Sequence, residues 1–271
     1  RQLMKWAAEQ RAHTMQLYAD MMVPQLGADV IVWPESAIPA LEVNVRPYLA
    51  QMSALANESG SSLLIGLPRR DAVTGAYYNS VAAWALEQPV QWYDKRRLVP
   101  FGEFFPVPQA VREWLRLMNL PYSDFQPGRA DPAPLRAAGE TFAPTVCYED
   151  AYGSEQLGLV RQSSLLVNVT NDAWFGDSTA PHQHLDISRM RALESGRAML
   201  RATNDGVTAL IEHDGSLLGT LPQFQPGVLT GEVQPRTGLT PYVRFGNWPI
   251  LAVLWLGLAV IVVSYRRSIR R

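Results

Sequence analysis

The chain has 271 residues, 47% of them hydrophobic, which suits one well-cored domain or a domain with an appendage. Its single cysteine, Cys147, excludes an internal disulfide, and no Cys/His spacing suggests a structural metal. The net charge of −1 hides an asymmetry: residues 248–271 carry Arg266, Arg267, Arg270 and Arg271 and no acid, leaving 20 basic against 25 acidic residues (net −5) in a body that argues against nucleic acid as the main partner.

In chain order, residues 1–22 predict an amphipathic helix whose apolar residues are Leu3, Trp6, Ala7, Met15, Leu17, Tyr18 and Met22. No signal peptide opens the chain, which for an exported domain points to a piece of a longer membrane protein cut on its N-terminal side. Residues 28–33 read as a short apolar strand that runs into Trp33-Pro34-Glu35-Ser36-Ala37-Ile38-Pro39. A helix follows over 44–58, then strands over 62–67, 78–85 and 90–93. The last strand leads into Tyr93-Asp94-Lys95-Arg96-Arg97-Leu98-Val99-Pro100-Phe101-Gly102-Glu103. Lys5 and Lys95 are the only lysines beside 22 arginines. A compact ammonium that shifts its pKa and directs three donors at one oxygen is a different tool from arginine.

The Pro- and Gly-rich stretch 100–140 predicts long loops around one helix, Val111–Leu120. That helix places Val111, Trp114, Leu115 and Met118 on one stripe. Residues 141–147 form a strand ending at Cys147, with Glu149 and Asp150 directly after. Beyond it the pattern predicts a helix over 156–161, a strand over 165–170, a pocket-lining loop over 171–176 and a long helix over 183–202. Residues 207–212 and 217–220 frame a hairpin through His213-Asp214-Gly215-Ser216. His182 and His184 would share a face on a strand but not at a helix start, where capping or packing is the expectation. Alternating strands and helices indicate an α/β protein.

Residues 248–265 contain no charge. They span about 27 Å as a helix, near the minimum for a bilayer core of ~30 Å. Trp248 and Tyr265 sit at the two ends, and the arginines beyond place the C-terminus in the cytoplasm with the body across the membrane.

Three strand-end residues suggest chemistry. Cys147 is the candidate nucleophile, and a thiol at neutral pH needs a base or a cationic neighbour. Glu35 is the candidate base, provided that burial raises its pKa. Lys95, with backbone N–H groups after Cys147, is the candidate oxyanion stabiliser. Taken singly, Glu35 reads equally as a helix cap, Lys95 as a solvated charge and Cys147 as core. Together, with their flanking residues, they read as a site.

A Glu–Lys–Cys order at strand ends resembles the nitrilase (carbon–nitrogen hydrolase) superfamily. The segments 33–39, 98–103, Cys147-Tyr148-Glu149, Asn171-Asp172-Ala173-Trp174-Phe175-Gly176 and 240–249 more narrowly resemble the apolipoprotein N-acyltransferase family. The resemblance implies an α-β-β-α four-layer sandwich over 1–247, lacking a first strand expected before Arg1. It also implies a transmembrane helix over 248–265 and a cytoplasmic basic tail over 266–271. The implied setting is the bacterial inner membrane with a periplasmic catalytic domain. The implied reaction moves an acyl chain from a phospholipid, through a Cys147 thioester, to the N-terminal amine of a diacylglyceryl-cysteine lipoprotein, with no cofactor or metal. Glu103 would orient Lys95, Tyr148 and Glu149 would shape the site, and Trp6 would meet an acyl chain or simply pack. Independently of the resemblance, the apolar Phe104-Phe105 segment and the stripe bearing Trp114 read either as a core-facing helix with its loop or as a lid that dips into the membrane to admit acyl chains. The alternative is a membrane-anchored nitrilase or amidase that uses the same three residues to hydrolyse a small amide.

Overall fold

The computed structural model describes residues 8–104 and 125–269. Trp6, Phe105, Trp114 and the helix expected over 111–120 lie outside the described residues. The chain opens with α1 (Ala8–Met22) and a short 3-10 turn, then β1 (Val30–Trp33), α2 (Glu42–Glu58), β2 (Ser62–Arg70), β3 (Tyr77–Trp84) and β4 (Gln91–Asp94). Then come β5 (Leu135–Ala137), β6 (Glu140–Val146), α3 (Gly153–Val160), β7 (Leu165–Asn171), α4 (Ala180–Ser195), β8 (Met199–Asn204), β9 (Ala209–Ile211) and β10 (Leu217–Thr220). Two helices close the chain, α5 (Pro241–Phe245) and α6 (Trp248–Ile269).

The strands form two sheets, ordered β1-β2-β3-β4 and β10-β9-β8-β7-β6-β5. In the first, β1 and β2 pair in parallel while β3 is antiparallel to both β2 and β4, so β1, β2 and β4 share one direction. In the second, β6, β7 and β8 are parallel. Strand alternation sorts the side chains into layers. Leu64, Val81, Ala83 and Tyr93 belong to the core that also holds Phe142, Val146, Val167 and Val169 of the second sheet. Leu63, Ile65, Leu67 and Ala82 pack instead with Tyr18, Met22, Leu49 and Met52 of α1 and α2. Leu157 and Val160 of α3 and Leu185 and Ala192 of α4 cover the other sheet. The result is helix, sheet, sheet, helix.

Two elements differ from the sequence reading. The helix expected over 183–202 stops at Ser195, because Gly196 takes the left-handed conformation (φ 65°) that ends helices, and residues 199–204 form β8 between β7 and β9. The stretch read as loop up to residue 140 contains β5, a three-residue edge strand paired with β6. Helix α6 runs 22 residues with none buried, and an 18-residue window of it has a mean hydropathy of 2.2, long and apolar enough to cross a membrane. Before it, α5 is anchored by buried Val243 and by Arg161, whose Nε donates to the Val243 carbonyl at 3.0 Å.

Candidate active site

Glu35, Lys95 and Cys147 each follow the last residue of a strand or lie within two of it: β1, β4 and β6. Open α/β sheets assemble sites at such carboxyl ends. Parity places Lys95 inward. Tyr93 points between the sheets, so Asp94 points out, where Arg69 grips it with two bonds of 2.8 and 2.6 Å, and Lys95 points in again. Asn79 of β3 shares the inward face with Val81, and its carbonyl accepts the Lys95 N–H at 2.8 Å. Gly66 of β2 lets the Pro34–Glu35 turn lie directly on the sheet. A Cβ there would stand 2.6 Å from the Glu35 Cα and from the Pro34 carbonyl oxygen.

The side chains converge. Lys95 Nζ lies 3.0 Å from Glu103 Oε1 and 3.8 Å from Glu35 Oε1. The Asn79 amide donates to both Oε1 atoms at 2.7 Å. All four residues are buried. Glu103 Oε2 also accepts from the Val99 N–H at 2.8 Å, which closes the loop after Lys95. Burial pushes the Glu35 carboxyl up, Lys95 pulls it back, Glu103 raises it further and the Asn79 bond favours the anion; the net direction is up. Burial works against the Lys95 charge, but Glu35 and Glu103 overcome it and hold the ammonium protonated well above its ordinary range.

Cys147 sits at φ 55° at the head of a 3-10 turn over Cys147–Ala151, a left-handed conformation that costs a non-glycine residue about 1–2 kcal/mol. Burial pushes its thiol up to about 12, and the Glu35 charge adds to that. Lys95 and the Thr170 hydroxyl act in the opposite sense. The sulfur therefore lies within the field of both candidate partners, and its proton leaves only when a base takes it or a cation compensates.

Glu149 is fully buried. One oxygen accepts the Arg96 and Arg97 N–H groups at 2.6 and 3.1 Å, and the other accepts the Val146 N–H at 2.8 Å and the Tyr93 hydroxyl at 3.1 Å. It ties the chain after Lys95 to the strand before Cys147. Tyr148 lays its ring 5.6 Å from Lys95 Nζ and donates its hydroxyl to the Leu98 carbonyl at 2.9 Å. Phe104 is half-buried beside Glu103.

Sequence reasoning missed Asn79, whose neighbourhood reads as ordinary strand. It also missed a second buried cluster. His184 stands between Asp172 (2.8 Å from Nδ1) and Asp150 (3.2 Å from Nε2), while His182 is exposed on the same helix and shares no site with it. Arg201 of β8, read as helical from sequence, donates to Asn168 at 2.7 Å, Ser188 at 2.8 Å and Asp172 at 3.1 Å. Asn168 in turn donates to the Cys147 carbonyl at 3.1 Å. Of the loop expected over 171–176, Asp172–Trp174 forms a 3-10 turn with Trp174 exposed and Asp172 buried. A cavity of about 480 Å³ opens beside β1, lined by Tyr18, Val30, Val32, Ala202 and Leu229, and does not reach Cys147.

The sequence matches the carbon–nitrogen hydrolase family over residues 1–242. It is 43% identical over 252 residues to an apolipoprotein N-acyltransferase of Pseudomonas aeruginosa (strain LESB58), covering 92% of this chain and 49% of that protein. It is 44% identical over 266 residues to an apolipoprotein N-acyltransferase of Azotobacter vinelandii, covering 96% and 51%. The chain thus spans about half the length of these curated relatives. Among solved structures it resembles an amidase from Nesterenkonia sp. (TM-score 0.58, 20% identity, 80% of this chain and 82% of that one). It also resembles the C. elegans NitFhit protein (TM-score 0.62, 14% identity, 79% and 55%). At those identities the structures speak for the fold alone. The match along nearly the whole folded body and the fold agree: the chain belongs to the carbon–nitrogen hydrolase family.

Proposed function

We propose that this chain carries the acyl-transfer chemistry of an apolipoprotein N-acyltransferase, with Cys147 as nucleophile, Glu35 as general base and Lys95 as oxyanion stabiliser. The observation that carries the reading is the convergence of Glu35 and Lys95 within 3.8 Å, both acting on the Cys147 sulfur, in a chain with relatives of that name. Glu35 takes the thiol proton as sulfur attacks the ester carbonyl of a phospholipid. Lys95 and the N–H groups of the turn after Cys147 hold the oxyanion, since the first turn of a helix leaves such groups without intrahelical partners. Collapse expels the lysophospholipid oxygen, which recovers the proton from Glu35, and leaves a thioester. The amine of a diacylglyceryl-cysteine lipoprotein then attacks the thioester, Glu35 accepts its proton, and the thiolate leaves as the amide forms. Glu103 and Asn79 keep Lys95 aimed.

In this reading residues 1–247 form the catalytic unit on the periplasmic face of a bacterial inner membrane. Residues 248–265 span that membrane, and the arginines of 266–271 hold the C-terminus in the cytoplasm. Trp6, Phe104, Phe105 and Trp114 are the proposed acyl-chain contacts. The test is mass spectrometry of the chain incubated with phospholipid vesicles, followed by a diacylglyceryl-cysteine peptide. The expected result is an acyl-sized adduct on Cys147 that moves to the peptide amine. An adduct lost only to water supports the amidase alternative, and no adduct at all overturns both.

A further inference from the structure

The peptide that follows Cys147 is held from one side. Thr145, Asn168 and Arg201 are register partners across β6, β7 and β8, so their side chains share a face of the second sheet. That face looks toward α4, whose Ser188 accepts from Arg201 at 2.8 Å, while Val146 and Val169 look toward the first sheet. Asn168 is fully buried, and each polar atom of its amide is bonded. Nδ2 donates to the Thr145 hydroxyl at 2.9 Å and to the Cys147 carbonyl at 3.1 Å. Oδ1 accepts from Arg201 at 2.7 Å. A guanidinium only donates, so the amide cannot turn over without setting its own donors against Arg201. Arg201 is fixed in turn by Ser188, by Asp172 at 3.1 Å and by the Val207 carbonyl at 3.3 Å.

The carbonyl gripped in this way belongs to Cys147, whose φ of 55° is left-handed. A non-glycine residue keeps that conformation only where its surroundings impose it. A trans peptide points its C=O and N–H in opposite directions. With the Cys147 carbonyl drawn to the α4 side, the Tyr148 N–H turns toward the space between the sheets, into which Lys95 also points.

We propose that Asn168 is a positioning residue for the acyl-transfer step. By holding the Cys147 carbonyl it keeps the nucleophile in its left-handed turn and the Tyr148 N–H aimed, with Lys95, at the oxyanion. Thr145 and Arg201 contribute by fixing which way the amide faces. The inference rests on the acyl-transfer reading, which supplies the oxyanion, and Asn168 acts through the Cys147 backbone rather than on the reacting atoms.

Two reactions of the single cysteine separate aim from reactivity. With p-nitrophenyl butyrate the sulfur bonds to the carbonyl carbon, an oxyanion forms, and p-nitrophenolate leaves as Glu35 takes the thiol proton. With iodoacetamide the sulfur bonds to the methylene carbon, iodide leaves, and no oxyanion forms. Both rates are measured on the full chain in detergent, with the Cys147 adduct read by mass spectrometry and thermal unfolding as the fold control. The variants are Asn168→Leu, which keeps the shape and removes the donor without adding charge, and Asn168→Asp, which keeps an acceptor for Arg201. Acylation is expected to fall about a hundredfold in each, the range for a misaimed oxyanion donor, while alkylation stays within about threefold of the wild type. A general loosening of the fold would move both rates together. Equal falls in the two rates, or wild-type acylation in either folded variant, overturns the inference and leaves the acyl-transfer reading standing. A wild type acylated by the nitrophenyl ester but not by phospholipid vesicles sinks the proposed donor and keeps the role of Asn168 under test by the same ratio. A wild type acylated by neither overturns both.

Discussion

The cluster of Glu35, Asn79, Lys95 and Glu103 sets two carboxylates against one ammonium. The cluster of Asp150, Asp172, His184 and Arg201 sets two carboxylates against two cationic groups. Both are buried, and one carboxylate of each, Glu35 and Asp172, pushes the Cys147 thiol up. In the first, Glu35 is raised, and among the described residues the side-chain amide oxygen of Asn79 (Oδ1) has no hydrogen-bond partner. In the second, Arg201 alone donates to three side chains. An unbalanced, incompletely bonded group exchanges protons readily, whereas a balanced and fully bonded one holds geometry. One family of buried ionic contacts thus serves two ends, depending on whether its charge closes.

Breaking the first cluster should cost activity before stability. Cys147→Ala should abolish acyl adduct formation, and Glu35→Gln should lower it by about a thousandfold, within the range for loss of a positioned base. Both variants should melt within a few degrees of the wild type, because neither strands a buried charge. Retained turnover in Glu35→Gln would remove that residue from the mechanism.

Breaking the second cluster should do the reverse. Arg201→Met leaves Asp150 and Asp172 against His184 alone and should destabilise the fold by about 3–5 kcal/mol in urea titrations. Lys95→Met should cost less stability than Arg201→Met, because Glu35 can take up a proton and neutralise itself, although activity falls. The opposite ranking would show that charge closure does not separate the clusters.

The pH dependence sharpens the contrast. His184 has a pKa raised to about 9 from an ordinary 6.5. A raised cationic pKa stabilises fully below the unfolded value and is lost as pH rises through the folded one. The His184 contribution is therefore complete below about pH 6.5 and gone above about pH 9, a loss of about 3 kcal/mol. Thermal unfolding of the wild type across that window should show the decline, and His184→Gln should flatten it. A smaller effect is expected from Gly66→Ala. The added methyl strikes the Glu35 backbone, so about 1–3 kcal/mol of stability and part of the activity should go, since the base moves off its line to the sulfur. Unchanged adduct formation would mean the turn relaxes freely.

The candidate triad was legible because each member ends a strand whose residues carry local signals. Apolar runs precede Glu35 and Cys147, and Lys95, one of two lysines in the chain, directly follows a strand. The apolar run after Asn247 announced α6 for the same reason. What stayed hidden lies in residues with ordinary neighbourhoods. Met199–Asn204 carries helix-compatible residues directly after a helix, so β8 and its Arg201 were read as a continuation, although Gly196 marked the break. Asn79 looked like any strand residue until the register set it opposite Lys95.

By itself the sequence determined the alternation of strands and helices, the strand ends bearing Glu35, Lys95 and Cys147, and one apolar segment able to cross a membrane, because these follow from local periodicity. Tertiary structure alone decided that Asn79 bridges two carboxylates and that His184 and Arg201 close the charge of Asp150 and Asp172. Those pairings join residues far apart in the chain, and their distances are set by sheet register and by the stacking of layers, which no local pattern encodes.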